Sequence, residues 1–135
     1  MSIRNWGPVR DCMTTRVVEV DGSLDVFQAM KVMKRESTTS LIVKRRDEHD
    51  EYGMVLFSDI AKKVIAKNRA PERVNIYEIM AKPVLMVRPE MEIRYCARMF
   101  ENFGISHAPV AENGNIIGMV SYYRLVLHGL PDLDD

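Results

Sequence analysis

Two stretches of the sequence place polar side chains where an apolar strand is expected to run into a helix. The first is residues 53–59, GMVLFSD, and a related stretch, GMVSYYR, occupies residues 118–124. Backbone N–H groups at a helix start have no partner within the helix, so such a junction can hold a sugar or a phosphate. Ser58 and Asp59 are also ordinary helix-capping residues, and capping is the alternative interpretation. Only the first stretch carries an acid, so we expect the two junctions to hold different groups.

The alternative to a protein that only binds such a ligand is an enzyme. Cys12, Cys96, His107 and Ser121 offer nucleophiles and a base, but Cys96 falls on an apolar helical stripe and is most simply a core residue. The histidines lack the spacing of a metal site: His49, His107 and His128. No phosphate-binding loop or dinucleotide glycine motif is present. The sequence therefore favours a protein without catalysis, bound metal or required cofactor.

Charge and hydropathy limit the classes of partner. Lys plus Arg and Asp plus Glu both number 19, so no electrostatic footprint for nucleic acid or an anionic membrane is present. The run at 44–51 is basic and then acidic, which indicates a solvated loop. No apolar run approaches the roughly 20 residues that span a bilayer, and no signal-peptide core is present. With two cysteines expected to be reduced, we expect a soluble, cytoplasmic protein.

Hydrophobic periodicity predicts strand, helix, strand, strand and helix in the first half. Strands are predicted at 17–20, 41–43 and 54–56. Ser23 is predicted to cap the first helix, and the second helix is predicted from Ser58 to Asn68. Apolar residues at helical spacing mark the buried face of the first helix: Val26, Ala29, Met30 and Met33.

The second half repeats the first at an offset of 67 positions, the separation of Met13 and Met80. The offset places the predicted strand 17–20 on 84–87 and the strand 41–43 on 108–110. Beyond the charged loop Gly53 aligns with Gly118, because the second copy has a shorter connection. Its Asn-Gly pair at 113–114 predicts a two-residue hairpin, and Gly104 predicts a helix end.

This repeat predicts a mixed α/β (α+β) fold built from two βαββα motifs. We divide the chain into a lead at 1–8, a first motif at 9–69, a linker at 70–75, a second motif at 76–129 and an acidic tail at 130–135. A motif of about 60 residues cannot bury its apolar face well alone. We therefore expect the two motifs to pack sheet to sheet with pseudo-twofold symmetry.

The duplicated order resembles a tandem pair of cystathionine-β-synthase (CBS) domains, also called a Bateman module. The segments VRDCMT at 9–14 and IYEIMA at 76–81 resemble the opening "h-x-D/E-x-M-T" segment of that family. The segment GISHAPV at 104–110 resembles its "G-I-x-x-x-P-V" strand entry. Each motif is loose by itself, but two ordered copies in register, covering Val9 to Leu127, are specific.

The resemblance implies a non-catalytic module that binds an adenosine-containing ligand in a cleft between the motifs. Such ligands include AMP, ADP, ATP and S-adenosylmethionine. The family's modules commonly form homodimers and control an attached or separate partner. Since the sequence offers no effector domain, we expect a stand-alone regulatory protein that signals to a separate, unidentified effector protein. The alternative is a ligand-free structural or dimerisation module.

The resemblance also implies which residue contacts the ribose. Nucleotide-binding copies end their third strand with "G-h-x-S/T-x-x-D", where the acid binds the ribose hydroxyls and the Ser or Thr faces phosphate. The first copy keeps Asp59 but has Leu56 at the hydroxyl position, and the second keeps Ser121 but has Arg124 at the acid position. One conventional ribose contact, at Asp59, is therefore implied. Arg124 cannot accept a hydrogen bond, so it either pairs with a neighbouring ligand's phosphate or is solvated.

The remaining ligand contacts implied by the resemblance follow the family's geometry. Adenine would lie beside the segment after each opening motif and meet the next strand with its edge, and Ser58 would lie beside Asp59. The residues concerned are Thr15, Arg16, Val18, Ser40 and Ile42 in the first copy, and Lys82, Val84, His107 and Pro109 in the second. Tyr122 either stacks on the ligand or packs half-buried.

Overall fold

A computed structural model describes residues 5–128 of the chain. These residues form two compact units. The central unit is Val18–Val84, and the terminal unit combines residues 5–17 with residues 85–128. Parts of the predicted lead and second motif, at 1–4 and 129, and the whole predicted tail lie outside the described residues.

The central unit contains a three-stranded sheet in the order β1-β2-β3. The strands are β1 (Glu19–Val20), β2 (Ser40–Val43) and β3 (Gly53–Leu56), and the helices are α1 (Val26–Glu36) and α2 (Phe57–Ile60), which continues as a π-helical segment (Ala61–Ile65). β1 pairs with β2 in parallel, and β2 pairs with β3 antiparallel. Two short 3₁₀ helices follow, Pro71–Arg73 and Ile76–Glu78.

The α1 helix begins two residues later than the sequence indicated. The Asp25 side chain accepts a hydrogen bond from the Gln28 N–H at 2.8 Å, and the Gln28 side chain accepts one from the Asp25 N–H at 3.0 Å. This reciprocal capping box satisfies two backbone donors at once. Ser23 is therefore not the cap that we predicted, and its own N–H is bonded to Asp21.

The predicted apolar stripe of α1 lies against the sheet. Val26, Ala29 and Met33 are buried and join Leu41 and Val55 in one core cluster. The 3.6-residue period of the helix puts these side chains on one face, and burial of that face stabilises the helix more than its local sequence does.

The terminal unit carries the second helix stripe and a hairpin. Its elements are a 3₁₀ helix (Val9–Asp11), α3 (Ile93–Phe103), β4 (His107–Glu112), β5 (Asn115–Ser121) and α4 (Tyr122–His128). The β4–β5 hairpin turns at Asn113 and Gly114, as predicted, and both residues have positive φ angles. Gly104 ends α3 in the left-handed conformation, also as predicted. Phe100 and Cys96 are fully buried in its core.

The predicted strand at 84–87 does not form in the described structure. In the first copy the Ile42 N–H donates to the Val18 carbonyl at 2.9 Å. The residue at the equivalent position of the second copy is Pro109, which has no N–H to donate. Pairing is reduced to a single parallel bridge between Val87 and Val110.

Each unit contains the opening segment of the other sequence copy. In the terminal unit Thr14 and Met119 exchange two backbone hydrogen bonds, both 2.9 Å long. In the central unit Met54 and Ala81 exchange equivalent bonds of 3.0 and 2.9 Å. The sequence repeats and the compact units therefore differ by a reciprocal exchange of these segments. The mixed α+β class predicted from the sequence is confirmed.

Candidate functional site

The junction between β3 and α2 holds Asp59 in a fixed position. The Phe57 N–H donates to the Thr39 carbonyl at 3.0 Å, which ties the start of α2 to the chain entering β2. Asp59 Oδ2 accepts the Leu56 N–H at 2.9 Å, and Asp59 Oδ1 lies 3.5 Å from Lys63 Nζ. Asp59 therefore does contribute to capping, as the alternative interpretation stated.

Capping does not use the whole carboxylate. Two oxygens offer about four lone-pair directions, and Asp59 has the Leu56 amide on one oxygen and the more distant Lys63 ammonium near the other. The side chain is 21% exposed. The carboxylate can therefore accept further hydrogen bonds from a pair of hydroxyl donors.

The corresponding junction in the terminal unit has the same backbone geometry but different chemistry. The Tyr122 N–H donates to the Ser106 carbonyl at 3.2 Å, in the position of the Phe57 bond. Ser121 Oγ accepts the Arg124 N–H at 3.4 Å, and the Arg124 side chain is exposed. This junction presents a hydroxyl and a guanidinium but no carboxylate.

Two ring-bearing candidates of the second copy are engaged within the protein. The Tyr122 ring meets Phe100 edge-on, with centroids 5.1 Å apart and an interplanar angle of 84°. His107 Nδ1 lies 2.8 Å from Ser106 Oγ, and burial lowers the pKa of the His107 imidazole. The Tyr122 ring is 42% exposed, and its edge-to-face contact with Phe100 is of the kind that stabilises aromatic packing.

The structure places the remaining candidates in two groups. In the central unit Ser40 pairs with Leu56, and Ser58 is exposed one residue before Asp59. Val18 and Ile42 lie along the same sheet, joined by the bond from the Ile42 N–H. Ser40 and Ser58 therefore lie at the end of the sheet that carries Asp59, and Val18 and Ile42 lie farther along the sheet.

The other candidates belong to the terminal unit or to other parts of the central unit. Thr15 and Arg16 are exposed and belong to the terminal unit, as does Pro109, which is buried in β4. Lys82 lies at the opposite end of the central sheet from Asp59, since Ala81 pairs with Met54 and the chain then runs toward the start of β3. Val84 is half-buried at the end of the central unit.

Asp50 is the polar residue that sequence reasoning missed. The run at 44–51 was interpreted as a solvated loop, yet the Asp50 side chain is only 8% exposed. Its carboxylate pairs with Lys82 at 2.7 Å and with Arg46 at 3.1 Å, and these cations hold the pKa of Asp50 well below its usual range. No local signal identifies Asp50, because Lys82 is remote in the sequence.

The sequence-family model of the CBS domain matches residues 9–66 and 76–129. These two matches cover most of the chain and coincide with its internal repeat. The chain belongs to the CBS-domain family. Within residues 5–128 of this CBS pair, no cluster of His, Cys, Asp or Glu is arranged to hold a metal ion. No helix in that range has the length and hydropathy needed to cross a membrane.

Solved CBS proteins share the fold. A hexameric CBS-CP12 protein from bloom-forming cyanobacteria is 39% identical, with a TM-score of 0.86, and the match covers 88% of this chain and 66% of that one. The CBS domain pair of protein MJ0100, solved with 5′-methylthioadenosine and S-adenosyl-L-methionine, is 22% identical, with a TM-score of 0.76 and coverage of 89% and 97%.

Curated relatives of this CBS pair are longer proteins. The homoserine O-acetyltransferase of Methanosalsum zhilinae is 34% identical over 113 residues, which are 83% of this chain and 22% of that enzyme. The chain spans 47% and 22% of the first two curated relatives that it matches. The shared region is thus the CBS pair and a minor part of the acetyltransferase.

Proposed function

We propose that this CBS pair is a regulatory module that binds an adenosine-containing ligand and signals to a separate protein. The ligand would be AMP, ADP, ATP or S-adenosylmethionine, held on the ribose side by Asp59. The observation that carries the proposal is the anchored, partly exposed Asp59 carboxylate at the β3–α2 junction. A carboxylate with two acceptor oxygens suits two adjacent ribose hydroxyls, and hydrogen bonds to a charged acceptor are the stronger kind.

The class of ligand is supported by membership of the CBS-domain family, and one solved protein of the same fold provides an example. The CBS pair of MJ0100, which has the same fold, was solved with two adenosine compounds. Its identity of 22% supports the fold alone, so the choice among adenosine compounds rests on the screen below. The absence of an acid at Arg124 favours a single conventional ribose contact.

We propose that the module is not itself catalytic. Cys12 and Cys96 are both buried free thiols, and burial raises the pKa of each, that of Cys96 to about 11. A thiol held in its neutral form is a poor nucleophile at neutral pH. His107 is hydrogen-bonded to its neighbour Ser106 rather than to either cysteine.

Pairing with a second copy of the chain is part of the proposal. In the central unit, Phe57 and Ile65 are 52% and 63% exposed and line an apolar groove of about 640 Å³ beside Phe27 of α1. In the terminal unit, Val126 is 62% exposed and borders a second apolar groove, of about 430 Å³, with Trp6. Exposed apolar groups gathered on helices in this way are typical of protein interfaces.

A ligand-free dimerisation module is the second candidate. It is favoured by the internal use of Asp59 as a cap and by the same exposed apolar groups. In that case Ile65→Glu would reduce the molar mass measured by light scattering to that of a monomer, while adenosine compounds would leave the protein unchanged.

The experiment that separates the candidates is a thermal-shift screen of the full chain with AMP, ATP and S-adenosylmethionine at millimolar concentration. A ligand at 100 times its dissociation constant stabilises a protein by about 2.7 kcal/mol. The proposal expects a shift with at least one compound. No shift with any of them would favour the dimerisation module.

A further inference from the structure

A second cavity of the central unit lies at the opposite end of the sheet from Asp59. It has a volume of about 500 Å³, within the range of about 300–1,000 Å³ that is common for small-molecule sites. Val43 at the end of β2 and Met80 of the second opening segment contribute apolar walls. β2 has four residues, so at about 3.3 Å per residue the two ends are roughly 10 Å apart. This cavity is therefore separate from the candidate ribose site.

Three cations line the cavity. Lys44 and Arg46 extend from the loop that follows β2, and Lys82 comes from the segment after Met80. Asp50 bridges Lys82 and Arg46 from one side, and it takes the Arg46 Nε–H and one direction of the Lys82 ammonium. Among the contacts of residues 5–128, these bonds leave most guanidinium N–H groups and part of the ammonium as donors.

The one carboxylate among the lining residues is hydrogen-bonded to a neighbouring residue. Asp21 Oδ1 accepts the Ser23 N–H at 2.9 Å, and the hydrogen bonds from Ser23 lower the pKa of Asp21. With Asp50 counted as well, three cations meet two carboxylates, so the cavity keeps a net positive charge. Tyr77 adds an aromatic wall that is 57% exposed.

The internal repeat provides a comparison. The repeat offset places Tyr77 on Arg10, and Arg10 pairs with Glu90 at 3.0 Å and with Glu112 at 2.7 Å. At the same offset, the position equivalent to Lys44 is Ala111, and the position equivalent to Lys82 is Thr15. The cationic set is therefore particular to the central unit and is not a requirement of the repeated fold.

We propose that this cavity binds a small phosphate ester. The phosphate oxygens would accept hydrogen bonds from Lys44, Arg46 and Lys82, and the organic part would lie against Tyr77 and Met80. Charge-assisted bonds from Arg and Lys to phosphate are short and strong, and Arg can present two parallel N–H groups. The proposal does not depend on adenosine binding at Asp59.

The test uses phenyl phosphate as the probe, with the full chain and amide NMR titration at low salt. Saturable shifts are expected at Gly22, Lys44 and Lys82. Phenol, which lacks the phosphate, is expected to give no such shifts, and equal binding of phenol would overturn the proposal.

Matched variants locate the site. Lys44→Gln is expected to weaken phenyl phosphate binding by on the order of ten-fold, since one charged hydrogen bond is lost. Arg45→Gln removes the same charge from the adjacent residue, whose guanidinium lies over the Tyr52 ring at 4.7 Å and does not line the cavity. It should bind like the wild type. Absence of saturable binding, or an equal loss in Arg45→Gln, would overturn the proposal.

Discussion

Gly53 and Gly118, at equivalent positions of the repeat, each lie against the opening segment of the other copy. Substitution of these glycines therefore tests the exchange of opening segments. A Cβ atom added at Gly118 would lie 2.6 Å from the Thr14 carbonyl oxygen and 2.8 Å from Met13 Sδ. A Cβ added at Gly53 would lie 2.6 Å from Met80 Sδ, with the Ala81 carbonyl oxygen at 3.4 Å. A thioether at the end of a flexible side chain can move, whereas a carbonyl oxygen in a paired backbone cannot move without breaking its hydrogen bonds.

Gly118→Ala is therefore expected to destabilise the protein more than Gly53→Ala. Overpacking of this kind costs about 1–3 kcal/mol, and we place Gly118→Ala in the upper half of that range. An unfolding entropy of about 2.1 cal/mol/K per residue makes 1 kcal/mol equivalent to roughly 3.5 °C for a chain of 135 residues. The melting temperature of Gly118→Ala should thus fall by about 7–10 °C.

Urea unfolding followed by the fluorescence of Trp6 is the assay, because Trp6 is the one tryptophan and packs against the core of the same unit as Gly118. Gly22→Ala is the control, since its added Cβ would have an ordinary contact with Val43 at 3.4 Å. An unfolding free energy of Gly118→Ala within 0.5 kcal/mol of the wild type would refute the reasoning. A smaller loss than that of Gly53→Ala would refute it too.

Three further predictions concern the terminal unit. Phe100→Ala should lower the free energy of unfolding by about 3–5 kcal/mol, because the ring is fully buried, and a loss below about 1 kcal/mol in urea titration would contradict this. Cys12 and Cys96 should react with a thiol reagent at pH 8 only after unfolding, since burial raises the pKa of both; rapid reaction of the native protein would count against the buried placement. Burial lowers the pKa of His107 below its unfolded value of about 6.5, so the unfolded state takes up the proton first and stability falls as pH drops through that value. Urea midpoints at pH 7.5 and 5.5 should therefore differ less for His107→Gln than for the wild type, and an equal difference would contradict the assignment.

Periodicity and turn chemistry predicted the elements that depend on local sequence. The stripe at Val26, Ala29 and Met33 identified the buried face of α1, and Asn113-Gly114 identified the hairpin. The cap of α1 was misplaced at Ser23, although Asp25 followed three residues later by Gln28 is a recognisable capping box.

Pairing between remote segments was less accessible to sequence reasoning. The offset shows that residues 9–14 and 76–81 are equivalent, but it does not say which copy's strand each of them meets. Pro109 did indicate that the strand predicted at 84–87 would pair poorly, because a residue without an N–H cannot make the hydrogen bond that Ile42 makes in the first copy. The ion pair between Asp50 and Lys82 has no such signal in the sequence. Nothing in the sequence specifies that a charged loop contacts a segment some thirty residues later.

The candidate ribose site was predicted from the resemblance of residues 53–59 to a motif of the CBS family. The structure adds the geometry of the Asp59 carboxylate. The split of the motif between Asp59 and Ser121 remains its main chemical feature. The structure adds that each residue also contributes to a helix start, Asp59 within the first turn of α2 and Ser121 immediately before α4. Substitutions at these positions must therefore be compared with controls that perturb a helix start alone.

The most direct measurement is a calorimetric titration of wild type, Asp59→Asn and Glu78→Gln with the adenosine compound that gives the largest thermal shift. Glu78 also reaches back to a backbone N–H at a helix start, that of Asn75 at 2.8 Å, and its amide variant likewise keeps an acceptor oxygen. Adenosine binding at Asp59 predicts that Asp59→Asn loses at least ten-fold in affinity, because charged hydrogen bonds to the ligand are weakened, while Glu78→Gln binds like the wild type. Equal affinity of the wild type and Asp59→Asn would contradict the proposed role of Asp59.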